Sequence, residues 1–263
     1  MGFRVLQNGG ISFVSVEDIS KKSVKQARAG ITDLILTPTV AANLFEEIIF
    51  MANPIAVLMG MSALGDKMGE KLAPEFVSVN DDGLKTDGLG TTPFDIEGTS
   101  RQSTPIIKEG VLVNFIHNTS TSKLSDTKTT GNSELADIGL NTKFLAPAPA
   151  NIVFNNGDHS FEELLENNAK PTIFVTSNWY TRYTSPISTE YSTIPRDAAF
   201  LIENGEMSTP LKNFRISDNL LRQLANIDAM ANDRVQVKWW EVSIPTWIPT
   251  VRVKDCRITK ATQ

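Results

Sequence analysis

Two glutamates stand side by side at positions 46 and 47 in NLFEEIIFMAN, and the chain holds two histidines, His117 and His159, and one cysteine, Cys256. Hydrolytic metal chemistry would have to be assembled from these residues, because a catalytic zinc takes about three nitrogen, sulfur or carboxylate ligands and keeps a position open for water. Neighbours on a helix point about 100° apart, so Glu46 and Glu47 are expected to serve different faces and not to act as a pair. With no histidine within a turn of either, they read as solvating groups of an amphipathic helix. His117 closes the strand-like VLVNFIH and His159 lies in the turn NNGDHS, and nothing in the sequence brings them together. Alternation in TVRVKDCRI places Val251, Val253 and Asp255 on one face and Arg252, Lys254 and Cys256 on the other, and Cys256 reads as an ordinary thiol.

Other blocks could bind without catalysing. DGLGTTPFDIEG (87–98) has the glycine density of a loop with special backbone angles. As a phosphate cradle it fails, since no Gly-Lys-Ser/Thr follows and Asp95 and Glu97 would repel an anion. Arg101 is expected to pair with Asp95 or Glu97. Thr129-Thr130-Gly131-Asn132 admits two readings: polar groups for an extended peptide backbone, or a turn in which Asn132 caps its own backbone. Ser177-Asn178-Trp179-Tyr180 follows a strand, where aromatics more often serve core or interface than catalysis. In KWWEVSIPTWIPT, alternation puts Trp239 and Trp240 on opposite faces, which leaves one exposed as a candidate subunit interface.

The elements that must position these residues follow from periodicity. Residues 3–16 read as a hairpin turned at Gln7-Asn8-Gly9-Gly10, followed by a helix from Ser20 that stops at Gly30. Val40, Leu44, Ile48 and Met51 recur at helical spacing, and a second helix is expected over 56–71. Seven short runs rich in β-branched and aromatic residues come next: 76–82, 110–118, 151–156, 172–178, 198–205, 235–244 and 250–258. Helices are expected at 160–168, with the capping-box order Ser-Phe-Glu-Glu, and at 217–231, while the Ser/Thr-rich 118–130 reads as a loop. The sum is an α+β fold, sheet-rich and mostly antiparallel, with a few helices.

Composition narrows the function. The 263 residues carry 41% apolar and 21% charged side chains and a net charge of −5, which disfavours nucleic acid as a partner. A single cysteine excludes an internal disulfide framework and fits a reducing compartment, and MGFRVLQNGG lacks the apolar run of a secretory signal, so a cytoplasmic location is expected. Residues 48–65 lack charge, but Asn53, Pro54, Gly60 and Gly65 interrupt them, so a helix broken at Pro54 is expected and not a membrane span.

Taken together, DDGLKTDGLGTTPFDIEGTSR (81–101), KTTGN (128–132) and FLIENGE (200–206) resemble the C-terminal half of the TldD/PmbA family of metalloprotease-related proteins. Proteolytic members carry His-Glu-x-x-x-His on an upstream helix. Aligned through Pro38, the two histidine positions become Glu46 and Met51, while Glu47 keeps the middle place. A family Cys near the C-terminus completes the metal set, and Cys256 falls several positions later. The resemblance therefore implies a PmbA/TldE-like, noncatalytic subunit with no cofactor of its own. Its partner would be a TldD-like, zinc-bearing protease, in a heterodimer that processes or degrades unfolded peptides. It implies a C-terminal-type domain over 31–263, a remnant of the N-terminal domain over 1–30, and peptide or cleft contacts at Thr130, Gly131, Asn132 and Asn178. Two alternatives stay open: a stand-alone truncated homodimer that binds peptides, and a hydrolase with a non-standard metal site built from Glu46, Glu47 and His117 or His159.

Overall fold

A computed structural model describes the chain apart from residues 1, 8–9, 16–24, 138–141, 167, 169, 185–186 and 261–263; for the other residues before Lys25 it gives the backbone alone. In chain order the elements begin with β1 (Gly2–Gln7), β2 (Gly10–Ser15), β3 (Lys25–Gln26) and β4 (Gly30–Leu36), then α1 (Pro38–Met51) and α2 (Pro54–Leu58). They continue with β5 (Val79–Asp82), β6 (Ser103–Lys108), β7 (Val111–Leu112), α3 (Thr119–Leu124), β8 (Ser133–Asp137), β9 (Lys143–Pro147), β10 (Ile152–Phe154) and α4 (Phe161–Glu166). The last third is β11 (Thr172–Tyr183), β12 (Glu190–Glu203), β13 (Glu206–Lys212), β14 (Phe214–Asn219), α5 (Leu220–Ala225), β15 (Ile227–Met230), β16 (Val235–Trp239), β17 (Val242–Ile248) and β18 (Val251–Lys260).

Two sheets carry the architecture. In the larger, β4 pairs with β18, β18 with β14, β14 with β12, β12 with β11 and β11 back with β4, so the hydrogen bonds close a circuit. The second sheet runs β16-β17-β10-β5-β6-β7. Only β4–β11, β10–β17 and β3–β13 pair in parallel among the described strands, which makes the fold the expected sheet-rich, mostly antiparallel α+β type.

Helix α1 lies between the sheets. Pro38 opens it at a position where the missing N–H costs nothing. Its apolar residues reach almost round the cylinder: Val40, Leu44, Ile48 and Met51 are buried, and so are Phe45 and Ile49. A helix apolar on all sides must be covered on all sides. β11 and β4 cover one side and β17 another, and Phe45 meets Phe154 of β10 with ring centroids 6.2 Å apart. Each such side chain contributes roughly 1.5–3 kcal/mol by leaving water. Pro54 then prevents continuation, and the Asn53 side chain caps α2 by accepting from Ile55 N at 2.9 Å. No helix among the described residues is long and apolar enough to cross a membrane.

Several expectations need correcting. The second helix stops after Leu58, where Gly60 takes a φ of +65°. The helix expected over 217–231 shrinks to α5: residues to its N-terminal side pair as β14 and those after it as β15, so sheet pairing overrides local propensity. The Ser/Thr-rich stretch contains α3, capped by Asn118, which accepts from Thr121 N at 2.9 Å. The strand over 110–118 is reduced to β7. Lys25–Gln26 form strand β3 where a helix was expected; the start of that helix and the turn at Asn8-Gly9 lie outside the described residues, although the β1–β2 hairpin forms as expected. At Ser160 the capping box is present in both directions, Glu163 N to Ser160 Oγ at 3.1 Å and Ser160 N to Glu163 Oε2 at 2.7 Å.

Candidate functional site

Asn43, Glu46 and Glu47 share a face of α1 because i, i+3 and i+4 positions stack. Opposite them lie Thr181, Arg182 and Tyr183 from the end of β11, with Glu241 from the β16–β17 turn, and together these seven residues line a cavity of about 140 Å³. A break in register between Trp179 and Arg182 bends β11 here, with Tyr180 in the left-handed region at φ +59°. Glu241 holds the bend by accepting from Tyr180 N at 2.8 Å. Its backbone oxygen accepts from Asn43 Nδ2 at 2.6 Å. Asn43 Oδ1 in turn receives Asn178 Nδ2 at 2.6 Å and Thr181 Oγ1 at 2.6 Å.

The two glutamates differ in what they touch. Glu46 is 6% exposed and accepts from the backbone N–H groups of Ser243 (3.1 Å) and Ile244 (3.0 Å), which stitches α1 to β17. Burial pushes its carboxyl up to about 7 against the pull of those two donors. Glu47 is half-buried and has no hydrogen-bond partner among the described residues; burial, and then the charge of Glu46, raise it to about 7. Tyr183 is shifted upward by burial and by the carboxylates of Glu47, Glu46 and Glu241. The expectation that Glu46 and Glu47 merely solvate separate faces is thus corrected: neither is a solvated surface group, and both border one concavity. Tertiary contacts surround the helix, so a 100° separation no longer puts one of them in water.

An aromatic wall adjoins the cavity. Trp239 and Trp240 meet edge to face at 5.6 Å, and Trp179 lies 6.5 and 6.4 Å from them. The guanidinium of Arg196 stands over Trp179 at 5.3 Å and over Tyr180 at 5.7 Å. Strand alternation does not separate Trp239 from Trp240 as expected, because β16 ends at Trp239 and Trp240 belongs to the turn. Trp240 is the exposed member, at 67%.

The side chains at the two histidine positions implied by the resemblance, and the single thiol of the chain, do not fit a metal. Both oxygens of Glu46 already accept from backbone N–H groups, Met51 is packed in the core, and Cys256 is fully buried in β18. Lys254 and Asp255 form a bulge there, with Asp255 at φ +54°, and this returns Cys256 to the buried face shared by Val253 and Ile258. The face predicted by alternation is therefore wrong for Cys256, whose thiol burial holds in the protonated form. His117 is buried against Thr121 Oγ1 (3.3 Å), while His159 sits at the surface 3.8 Å from Glu163. Among the described residues no group of three or more His, Cys, Asp and Glu is arranged so that it could hold a metal ion.

The TTGN block serves the framework. Asn132 is 1% exposed and donates to Asp81 Oδ2 at 2.5 Å and to Ala148 O at 3.0 Å, and Thr130 Oγ1 accepts from His117 N at 2.6 Å. Gly131 has a φ of +69°, and a Cβ there would stand 2.4 Å from Ser100 O. Asn132 therefore does not cap its own turn; it latches 128–132 to β5. Asp95 binds Glu97 N, Thr99 N and Ser133 N, so Arg101 pairs with Glu134 and neither Asp95 nor Glu97 is its partner. Asn178, the remaining cleft candidate, is fully buried in the wall behind Asn43 and Thr181. Sequence reasoning missed Asn43, Thr181, Arg182, Tyr183 and Glu241; only the i, i+3, i+4 spacing of Asn43 with the two glutamates was available as a signal.

Residues 29–260 match the family model for the PmbA/TldA metallopeptidase C-terminal domain. Over 201 residues the chain is 32% identical to a metalloprotease of Methanocaldococcus jannaschii, covering 76% of this chain and 43% of that one. It is 26% identical over 222 residues to the metalloprotease PmbA of Escherichia coli O157:H7, covering 82% and 44%. Among solved structures, a Thermotoga maritima protein described as a modulator of DNA gyrase matches with a TM-score of 0.76 at 28% identity, over 90% of this chain and 51% of its own. TldE from Thermococcus kodakarensis matches with a TM-score of 0.80 at 18% identity, over 97% and 61%, which speaks to the fold. The chain spans about half the length, or less, of the two metalloproteases and the Thermotoga maritima protein it matches.

Proposed function

Because the chain belongs to the PmbA/TldD metallopeptidase family, we propose that it is a TldE-like, noncatalytic subunit that holds peptide beside a TldD-like, zinc-bearing partner. The observation that carries this reading is the state of α1. At the two positions where proteolytic relatives place imidazoles, Glu46 is bound to two N–H groups of β17 and Met51 is core, so neither is available as a ligand. Glu47 keeps the place of the general base, with no imidazole at either of the two histidine positions to hold a metal beside it. Cytoplasmic residence is part of the proposal, as a reducing compartment suits one buried thiol.

Peptide would enter along the cavity and its aromatic wall, since Thr130 and Asn132 are committed to the framework. Trp240 supplies an exposed anchor of the kind found at interfaces. The test is a pull-down of the tagged chain from native extract with mass identification. A co-purifying chain bearing His-Glu-x-x-x-His, with zinc stoichiometric to that chain alone, is expected. Peptide hydrolysis by the isolated subunit that a chelator abolishes would sink the proposal.

A further inference from the structure

The cavity beside α1 has an imbalance of charge that its own residues do not correct. Three carboxylates line it, those of Glu46, Glu47 and Glu241, against the single guanidinium of Arg182. Glu46 and Glu241 are engaged by backbone N–H groups. Arg182 donates to the carbonyl of Thr181 at 2.7 Å and lies 5.7 Å from the Tyr180 ring, without a salt bridge to Glu47. Lys238 donates its ammonium to Ser243 O, and the guanidinium of Arg196 stands over the Trp179 and Tyr180 rings. Glu47 therefore keeps a carboxylate with neither donor nor cation. In the wall formed by Asn43 and Thr181, the fully buried Asn178 also has a carbonyl oxygen with no donor, while its amide nitrogen is fixed on Asn43 Oδ1. Asn178 stands behind the lining, so the open acceptor within the cavity is Glu47, and a carboxylate without a donor calls for a donor-rich cation. Trp179 already carries the Arg196 guanidinium, and the exposed Trp240 beside it adds a ring of the kind that attracts a cation.

We propose that this cavity binds an ammonium group of the peptide, either its free amino end or a lysine side chain, with Glu47 as the counter-ion. An ammonium carries three N–H donors and no acceptor, which suits the carboxylate of Glu47 in the cavity lining. The volume of about 140 Å³ is small against the roughly 300 Å³ where drug-sized pockets begin, so it takes a charged tip and its first carbons while the rest of the peptide lies along the aromatic wall. This inference rests on the peptide-holding reading above.

Tryptophan fluorescence of the full chain, titrated with three synthetic heptapeptides, tests it. The first lacks lysine and has a free amino end, the second is its N-acetylated twin, and the third is acetylated with one internal lysine. The free-amino or the lysine peptide, or both, is expected to bind about 10-fold tighter than the acetylated twin, as a charge-assisted hydrogen bond gives. Which of the two gains identifies the source of the ammonium. Glu47→Gln should bring that peptide down to the affinity of the acetylated twin, with an unchanged circular-dichroism spectrum as the fold control. Equal binding of all three peptides, or a preference that survives in Glu47→Gln, overturns the ammonium site and leaves peptide holding intact. No binding of any peptide overturns both.

Discussion

Asp81 and Glu47 are both carboxylates withdrawn from water, and they face opposite situations. Asp81 is 1% exposed and accepts from Ala150 N at 2.7 Å, Asn151 N at 3.2 Å and Asn132 Nδ2. It ties β5, the start of β10 and the 128–132 block into one body. Burial raises it to about 6, less far than it would without those donors and Arg101. Glu47, raised to about 7, has no donor at all. A buried charge that is fully bonded is architecture; one left open beside a cavity has something still to bind.

The largest expected effect removes the satisfied carboxylate. Asp81→Ala orphans two buried backbone N–H groups and the Asn132 amide, and should cost about 4 kcal/mol in denaturant unfolding. A cost near 1 kcal/mol would mean that the latch is looser than its distances imply. Next, Gly131→Ala forces a Cβ against Ser100 O in a left-handed backbone, and a loss of about 3 kcal/mol is expected by the same measurement.

Glu47→Gln should act in the opposite direction. Its carboxyl titrates at about 7 in the folded chain against an ordinary 4.5, so between these pH values the folded state binds more protons than the unfolded one. Unfolding free energy therefore falls as pH rises through this window, and the loss is complete above pH 7. Calorimetry should find Glu47→Gln more stable than the parent by about 2 kcal/mol at pH 8, with the gain gone at pH 4. A variant destabilised at pH 8 would show that Glu47 is already paired. The smallest effect is expected from Trp240→Ala, about 1 kcal/mol or less in stability because the ring is 67% exposed. Its larger consequence should appear in light scattering as weaker association with the proposed TldD-like partner, and unchanged mass would remove Trp240 from the proposed interface.

Much of the framework could be read without coordinates. Pro38 with apolar residues at helical spacing specified α1, and Ser160 with Glu163 specified the start of α4, because both signals act within one turn of chain. The misreadings share another cause. The face of Cys256 was lost to a bulge, that of Trp240 to a turn, and the 217–231 helix to the pairing of β14 and β15. Each of those is decided by a partner strand far away in sequence.

The sequence by itself determined that no His-Glu-x-x-x-His motif is present in these residues and that any substitute has two histidines, one cysteine and carboxylates to draw on. Residue identity is enough for that, since a ligand set is a matter of chemistry before it is one of position. Only the tertiary structure decided that Glu46 is fastened to β17 while Glu47, one residue on, faces a cavity without a partner. Whether a carboxylate is bonded or bare depends on which backbone donors the closed sheet and its neighbour bring to either side of α1, and those come from residues almost 200 positions away.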